Sequence, residues 1–105
     1  MASGQYHELI EETFERVEEA LEALPEDPDV AVAEGVINVR FANGVVFVLS
    51  RQPPTEQLWL ATPGGGFHYL WDAQASCWRD TKTGDDFAWV LVEEMRRHVG
   101  IEFMF

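Results

Sequence analysis

Residues 36–51 read VINVRFANGVVFVLSR, and this stretch decides the fold. Two β-rich runs, Val36 to Ala42 and Val45 to Arg51, flank Asn43-Gly44, a dipeptide that favours tight hairpins because both residues tolerate positive φ. The runs are therefore antiparallel neighbours in a sheet. In the first, alternation turns Ile37, Val39 and Phe41 toward a core and leaves Asn38 and Arg40 on the other face. Working outward, Val30 to Ala33 supplies an earlier strand. On the other side Pro53-Pro54 breaks the pattern, and Gln57 to Ala61 is a short strand with Leu58 and Leu60 inward, Gln57 and Trp59 outward. A Gly64-Gly65-Gly66 turn leads to a strand at Phe67 to Trp71, another short strand surrounds Trp78, and Lys82 to Gly84 makes the last turn.

Helical spacing brackets this sheet. Tyr6, Leu9, Ile10, Phe14, Val17, Leu21 and Leu24 recur along one helix face, and Pro25 closes that helix. A second helix is expected from Asp85 to about His98, with Asp85 and Asp86 complementing its N-terminal dipole. The order of helix, five to six strands and helix predicts an α+β fold. Its expected form is a two-layer α-β sandwich, both helices packed on one face of an antiparallel sheet, in a single domain spanning residues 1–105.

Apolar residues make up 47% of the chain, enough to form a core without disulfide or metal staples. Against 7 Lys plus Arg stand 19 Asp plus Glu, a formal net charge of −12 that repels nucleic-acid phosphates and anionic membranes. Cations and basic protein surfaces remain as partners. Cys77 is the single cysteine, which rules out an internal disulfide and a thiolate zinc site, and it is expected to be buried and inert. With no apolar run of membrane-spanning length and no basic leader, a soluble cytoplasmic protein is expected.

The charge is unevenly placed. Residues 1–29 hold 10 acids and one base, Arg16, a net of −9 out of −12. At about 100° per residue, Glu8, Glu11, Glu12, Glu15, Glu18, Glu19 and Glu22 fall within an arc of roughly 120°, opposite the apolar stripe. They make eight like-charge pairs at i+3 or i+4, at ~0.2–0.5 kcal/mol each, or roughly 2–4 kcal/mol of repulsion. One reading is a solvated face that keeps a small protein soluble. The other is that a multivalent cation or an Arg/Lys-rich surface relieves the repulsion by docking. Carboxylates are hard oxygen ligands, His7 beside Glu8 and Glu11 could add an imidazole, and successive glutamates on one helix cannot converge on one ion. The expected sites are shallow, water-rich, weak and several in number.

Other candidates are weaker. His68 reads as a strand-surface histidine and His98 as a partner of its helix dipole, while the triple glycine lacks the Lys-Ser/Thr ending of a phosphate loop. No nucleophile–base order indicates an enzyme. Trp59 is either an exposed interface anchor or a ring lying flat against its sheet neighbours.

Arg51-Gln52-Pro53-Pro54, Gln57-Leu58-Trp59-Leu60-Ala61, Pro63, Gly66, Tyr69 and Trp78 together closely resemble the frataxin family, nearest its bacterial members. The resemblance extends to Tyr6-His7, the acidic helix, the Asn43-Gly44 hairpin and Gly84 to Leu91. It departs at Ala23 and Pro25, which interrupt a denser acidic stretch, at Glu56, where a histidine would extend a site onto the sheet, and at Trp89, one place later than expected. The resemblance implies a non-enzymatic iron-binding regulator of iron-sulfur cluster assembly that docks on the cysteine desulfurase. The implied iron ridge is His7, Glu8, Glu11, Glu12, Glu15, Glu18, Glu19 and Glu22, continued by Glu26, Asp27 and Asp29. Glu18, Glu19, Glu22 and Trp59 are the implied partner contacts. Weakly bound ferrous or ferric iron and a monomer, oligomerising if at all with iron, complete the expectation. An iron-storage or ferroxidase-type protein and an acidic adaptor with incidental metal binding are the alternatives.

Overall fold

The computed structural model describes residues 3–105. Helix α1 (Ser3–Glu22) is followed by strands β1 (Asp29–Ala33), β2 (Val36–Arg40), β3 (Val46–Gln52), β4 (Gln57–Thr62), β5 (Gly65–Asp72) and β6 (Cys77–Asp80), and then by helix α2 (Phe87–Val99). The six strands form one antiparallel sheet in sequence order. This is the expected two-layer sandwich, with six strands.

Alternation positions the core. Ile37, Val39, Phe47, Leu49, Leu58, Leu60, Tyr69 and Trp78 are buried on the face that meets the helices. Tyr6, Ile10, Phe14, Val17 and Leu21 from α1 and Phe87, Val90, Leu91 and Met95 from α2 complete one cluster. Asn38 and Arg40 lie exposed on the other face, as the period of two requires.

The decisive hairpin is looser than a two-residue turn. Phe41 N–H donates to Val45 O at 2.9 Å, so the loop is Ala42-Asn43-Gly44, with Gly44 at φ 87°. Three-residue hairpin loops need a left-handed residue at this place, which glycine adopts without strain. The Asn43 side chain accepts from Val45 N–H at 3.0 Å and donates to His98 O at 3.1 Å, tying the hairpin to the end of α2.

Three boundaries differ from the sequence expectation. Gly65 and Gly66 are in β5, paired with Thr62 and Ala61, so the turn is Pro63-Gly64 and the backbone ladder continues through the glycines. α2 starts at Phe87 rather than Asp85, because Asp85 O accepts from Asp80 N–H at 2.8 Å and is held in the preceding loop. Asp86 is the cap, its side chain accepting from Ala88 N–H at 3.2 Å. α1 ends at Glu22, with a tighter Leu24 N–H to Leu21 O bond of 3.2 Å leading into Pro25.

The tail beyond α2 also packs. Gly100 caps the helix at φ 73°, Ile101 and Phe103 are buried, and the Phe105 ring meets Phe87 edge-on at 5.8 Å. Cys77 is half-buried rather than buried, since β6 is the last strand of the sheet and its side chain lies at that border. No helix among the described residues is long and apolar enough to cross a membrane.

Candidate metal and partner surface

The underside of α1 fixes what its upper face presents. Tyr6 is 1% exposed, and its hydroxyl donates to Gln57 O at 2.7 Å and accepts from Gln52 N–H at 3.1 Å. Thr13, also buried, donates to Leu9 O at 2.8 Å and accepts the Trp78 indole N–H at 3.0 Å. These polar anchors link the helix to the β3–β4 connection and to β6. Sequence periodicity found Tyr6 but gave no signal for Thr13, whose partner lies 65 residues away.

With that face pinned, Glu8, Glu11, Glu12, Glu15, Glu19 and Glu22 are exposed and Glu18 is half-buried. Among the described residues none of these seven carboxylates has a salt-bridge partner. The helix's one base does not serve them: the Arg16 guanidinium sits over the Phe105 ring, 4.8 Å from its centroid. His7 is exposed, its ring against the edge of Tyr6 at 5.6 Å.

Glu11, Glu15 and Glu18 form one wall of a groove of about 410 Å³ between α1 and the end of β1. Val32, an exposed apolar side chain, gives it apolar surface over the buried Ile10 and Phe14, and Glu34, paired with Arg51 at 3.3 Å, stands at its end. Gly35 lets the Arg51 side chain lie across that end, since a Cβ there would lie 2.5 Å from Arg51 Nε.

The linker acids divide. Glu26 and Asp27 are exposed in the turn after α1, Asp27 in the left-handed region at φ 50°. Asp29 is already in β1 and pairs with Arg40, whose side chain is on the open sheet face. Directly opposed residues share a face, so Asp29 has a cation beside it and lies away from the helical carboxylates.

The donor chemistry fits a hard cation, yet the described residues contain no group of three or more His, Cys, Asp or Glu arranged to hold a metal.

Trp59 is half-buried on the open sheet face, and of the two readings its ring takes the one that lies flat against a sheet neighbour. It lies parallel to the His68 imidazole, centroids 4.2 Å apart at 9°, and its indole N–H donates to Gln57 Oε1 at 2.7 Å. Cross-strand pairing of Trp59 with His68 produces the stack. It also accounts for His68, which is a surface strand residue as expected.

Sequence reasoning overlooked Glu94, which is 4% exposed, with Oε1 accepting the Thr62 hydroxyl. His98 Nε2 is 3.5 Å from the same oxygen and, among the described residues, is buried without a hydrogen-bond partner, in addition to standing in the last helical turn.

A family model described as a frataxin-like domain matches residues 1–101. The chain belongs to the frataxin family. It is 33% identical over 105 residues to the iron-sulfur cluster assembly protein CyaY of Pseudomonas fluorescens, and 36% identical over 105 residues to that of Azotobacter vinelandii; each alignment covers 100% of this chain and 96% of the relative. Frataxin from Psychromonas ingrahamii superposes with a TM-score of 0.87 at 25% identity, covering 98% of this chain and 96% of that one. Trimeric yeast frataxin complexed with ferrous iron shares the fold at a TM-score of 0.61 and 23% identity, covering 96% of this chain and 88% of that one.

Proposed function

We propose that this frataxin-family protein acts in iron-sulfur cluster assembly as an iron-binding regulator that docks its α1 face on a basic patch of the cysteine desulfurase. The observation that carries this reading is the set of seven α1 carboxylates without a cationic partner, flanked by a groove with apolar surface. Arg and Lys fit such a groove twice over: their heads meet carboxylates and their methylene stems cover the exposed Val32. Glu18, Glu19 and Glu22 are the main partner contacts. Trp59, with His68 stacked on it, is a second contact on the open sheet face.

His7, Glu8, Glu11, Glu12, Glu15, Glu18, Glu19 and Glu22, with Glu26 and Asp27 beyond the helix, would hold iron. Because no three donors converge, iron is loosely held cargo that tunes surface charge, and electrostatic docking is the stronger function of the face. Asp29, on the other face beside Arg40, contributes to the field more than to coordination.

Replacing Glu18, Glu19 and Glu22 together by Lys is expected to abolish desulfurase binding in calorimetric titrations, with the circular dichroism spectrum unchanged. Wild-type binding should weaken steeply with salt. Undiminished affinity of the folded triple variant would sink the proposal.

A further inference from the structure

A second concavity lies away from the carboxylate face of α1. It is a cavity of about 380 Å³ between α2, the Pro63-Gly64 turn with the start of β5, and the loop joining β6 to α2. That volume falls in the range of small-molecule sites.

One buried charge defines it. The Glu94 side chain is 6% exposed and lines the cavity. Its Oε1 is occupied by Thr62, but among the described residues no donor reaches hydrogen-bonding distance of Oε2. Arg97 Nη1 stands 3.9 Å from Oε2, on a side chain that is 71% exposed and free to swing into water. Oε2 therefore belongs to a mostly buried side chain but opens onto the cavity, where it favours a ligand that brings it an N–H donor.

The surroundings say what kind. Gly64 keeps the corner beside Glu94 clear, since a Cβ there would collide with Oε1. Trp89 lines the cavity yet is 58% exposed, and with Phe67 it gives an aromatic wall. The lining holds four acids, Asp80, Asp85, Glu93 and Glu94, against two bases, Lys82 and Arg97, which disfavours anions. Two of the acids are already occupied: Glu93 pairs with Arg96, and Asp80 Oδ1 accepts from the N–H groups of Lys82 and Thr83. Asp85 and Glu94 remain, and no three donors are grouped to strip water from a metal ion.

We propose that this cavity binds a small amphiphilic organic cation, an ammonium group on an apolar body, with the ammonium on Glu94 Oε2 and the body against Trp89 and Phe67. The ammonium gives this cavity-facing oxygen a direct, charged donor. The aromatic wall attracts the cation through its π face and covers the apolar body. The proposal is independent of the desulfurase reading, because its residues come from α2, β5 and their loops.

The test is an NMR titration of nitrogen-15-labelled full chain with phenethylammonium chloride, and with 2-phenylethanol as the uncharged isostere. Saturable shifts are expected at Gly64, Phe67, Trp89 and Glu94, with 2-phenylethanol binding at least about tenfold more weakly. Glu94→Gln keeps an acceptor for Thr62 and should weaken phenethylammonium by about tenfold or more. Trp89→Ala, at an exposed position that the core does not need, should weaken it about threefold. Equal affinity in Glu94→Gln, equal affinity for the alcohol, shifts centred on the α1 glutamates, or no saturation below about 10 mM would each overturn the proposal.

Discussion

α2 has an aspartate cap at its start, Arg96, Arg97 and His98 in its last turn, and a glycine cap at its end, whereas α1 has no base in its last turn and no acid in its first. On α2 acids and bases alternate within reach of one another: Arg96 bonds both Glu93 and Glu102, and Arg97 and His98 stand 3.9 Å and 3.5 Å from the Glu94 carboxylate. On α1 none of the seven glutamates has a salt-bridge partner among the described residues. Both helices cover the same sheet, so packing does not require this difference.

Burial decides why α1 survives it. Tyr6, Ile10, Val17 and Leu21 are at most 1% exposed and Phe14 is 8% exposed. At about 1.5–3 kcal/mol for each fully buried large side chain, these five contribute roughly 8–15 kcal/mol, several times the repulsion of about 2–4 kcal/mol. The helix is held from below, which leaves its upper face free to carry a charge pattern that suits a partner rather than the fold.

The largest expected effect comes from removing that pattern. Replacing Glu11, Glu15, Glu18, Glu19 and Glu22 by Gln leaves only the Glu8/Glu12 pair of the original eight. At ~0.2–0.5 kcal/mol per pair, the variant should be more stable by roughly 1.5–3.5 kcal/mol in low-salt urea unfolding, and the gain should shrink in 1 M salt. A functional surface that opposes stability is expected to behave in this way. An unchanged midpoint would mean that the face is electrostatically idle, and the contrast with α2 would disappear.

A smaller effect is expected at the start of α2. Asp86→Ala removes the acceptor for Ala88 N–H and should lower stability by about 1 kcal/mol, read as a shifted urea midpoint at constant slope. Asp85→Ala, one residue earlier, should cost less, because it is the backbone carbonyl of Asp85 that bonds Asp80 N–H. If the two substitutions cost the same, Asp86 is not the cap that separates α2 from α1.

The same contrast marks what could be read from the chain. Local period was enough for the α1 carboxylate arc, for the inward Leu58 and Leu60, and for strand pairing across Asn43-Gly44, since each depends on neighbours a few residues apart. What escaped depends on contacts between distant segments. Glu94 is buried because Thr62 and Gly64, about 30 residues earlier, close over it. Trp59 is stacked because a strand partner places His68 on it, and alternation assigns a face without saying what else occupies that face. Gly65 and Gly66 looked like a turn by composition, but a two-residue Pro63-Gly64 turn already reverses the chain and the sheet ladder carries them along. Asp29 belongs to the acidic run in sequence and to the opposite face in space, because β1 begins at it.

The smallest effect at neutral pH separates the two tyrosines beneath the helices. Tyr6 under α1 has both hydrogen-bonding roles of its hydroxyl filled, whereas the Tyr69 hydroxyl, near the start of α2, is buried with no partner among the described residues. Burial first, and then the nearby carboxylates of Asp80, Asp85, Glu94 and Asp86, raise the Tyr69 phenol above its ordinary 10.0. A raised folded-state value stabilises fully below the unfolded value, so this contribution is complete below pH 10 and is lost as pH rises above it. Tyr69→Phe should change stability by no more than about 0.5 kcal/mol at pH 7, because no hydrogen bond is lost, and should flatten the decline above pH 10. Some decline should persist, since burial also raises Tyr6. Thermal melts of both proteins from pH 8 to about 11 check this: an equally steep alkaline loss in Tyr69→Phe would remove the unpaired phenol as its source and leave Tyr6, under α1, as the tyrosine that governs it.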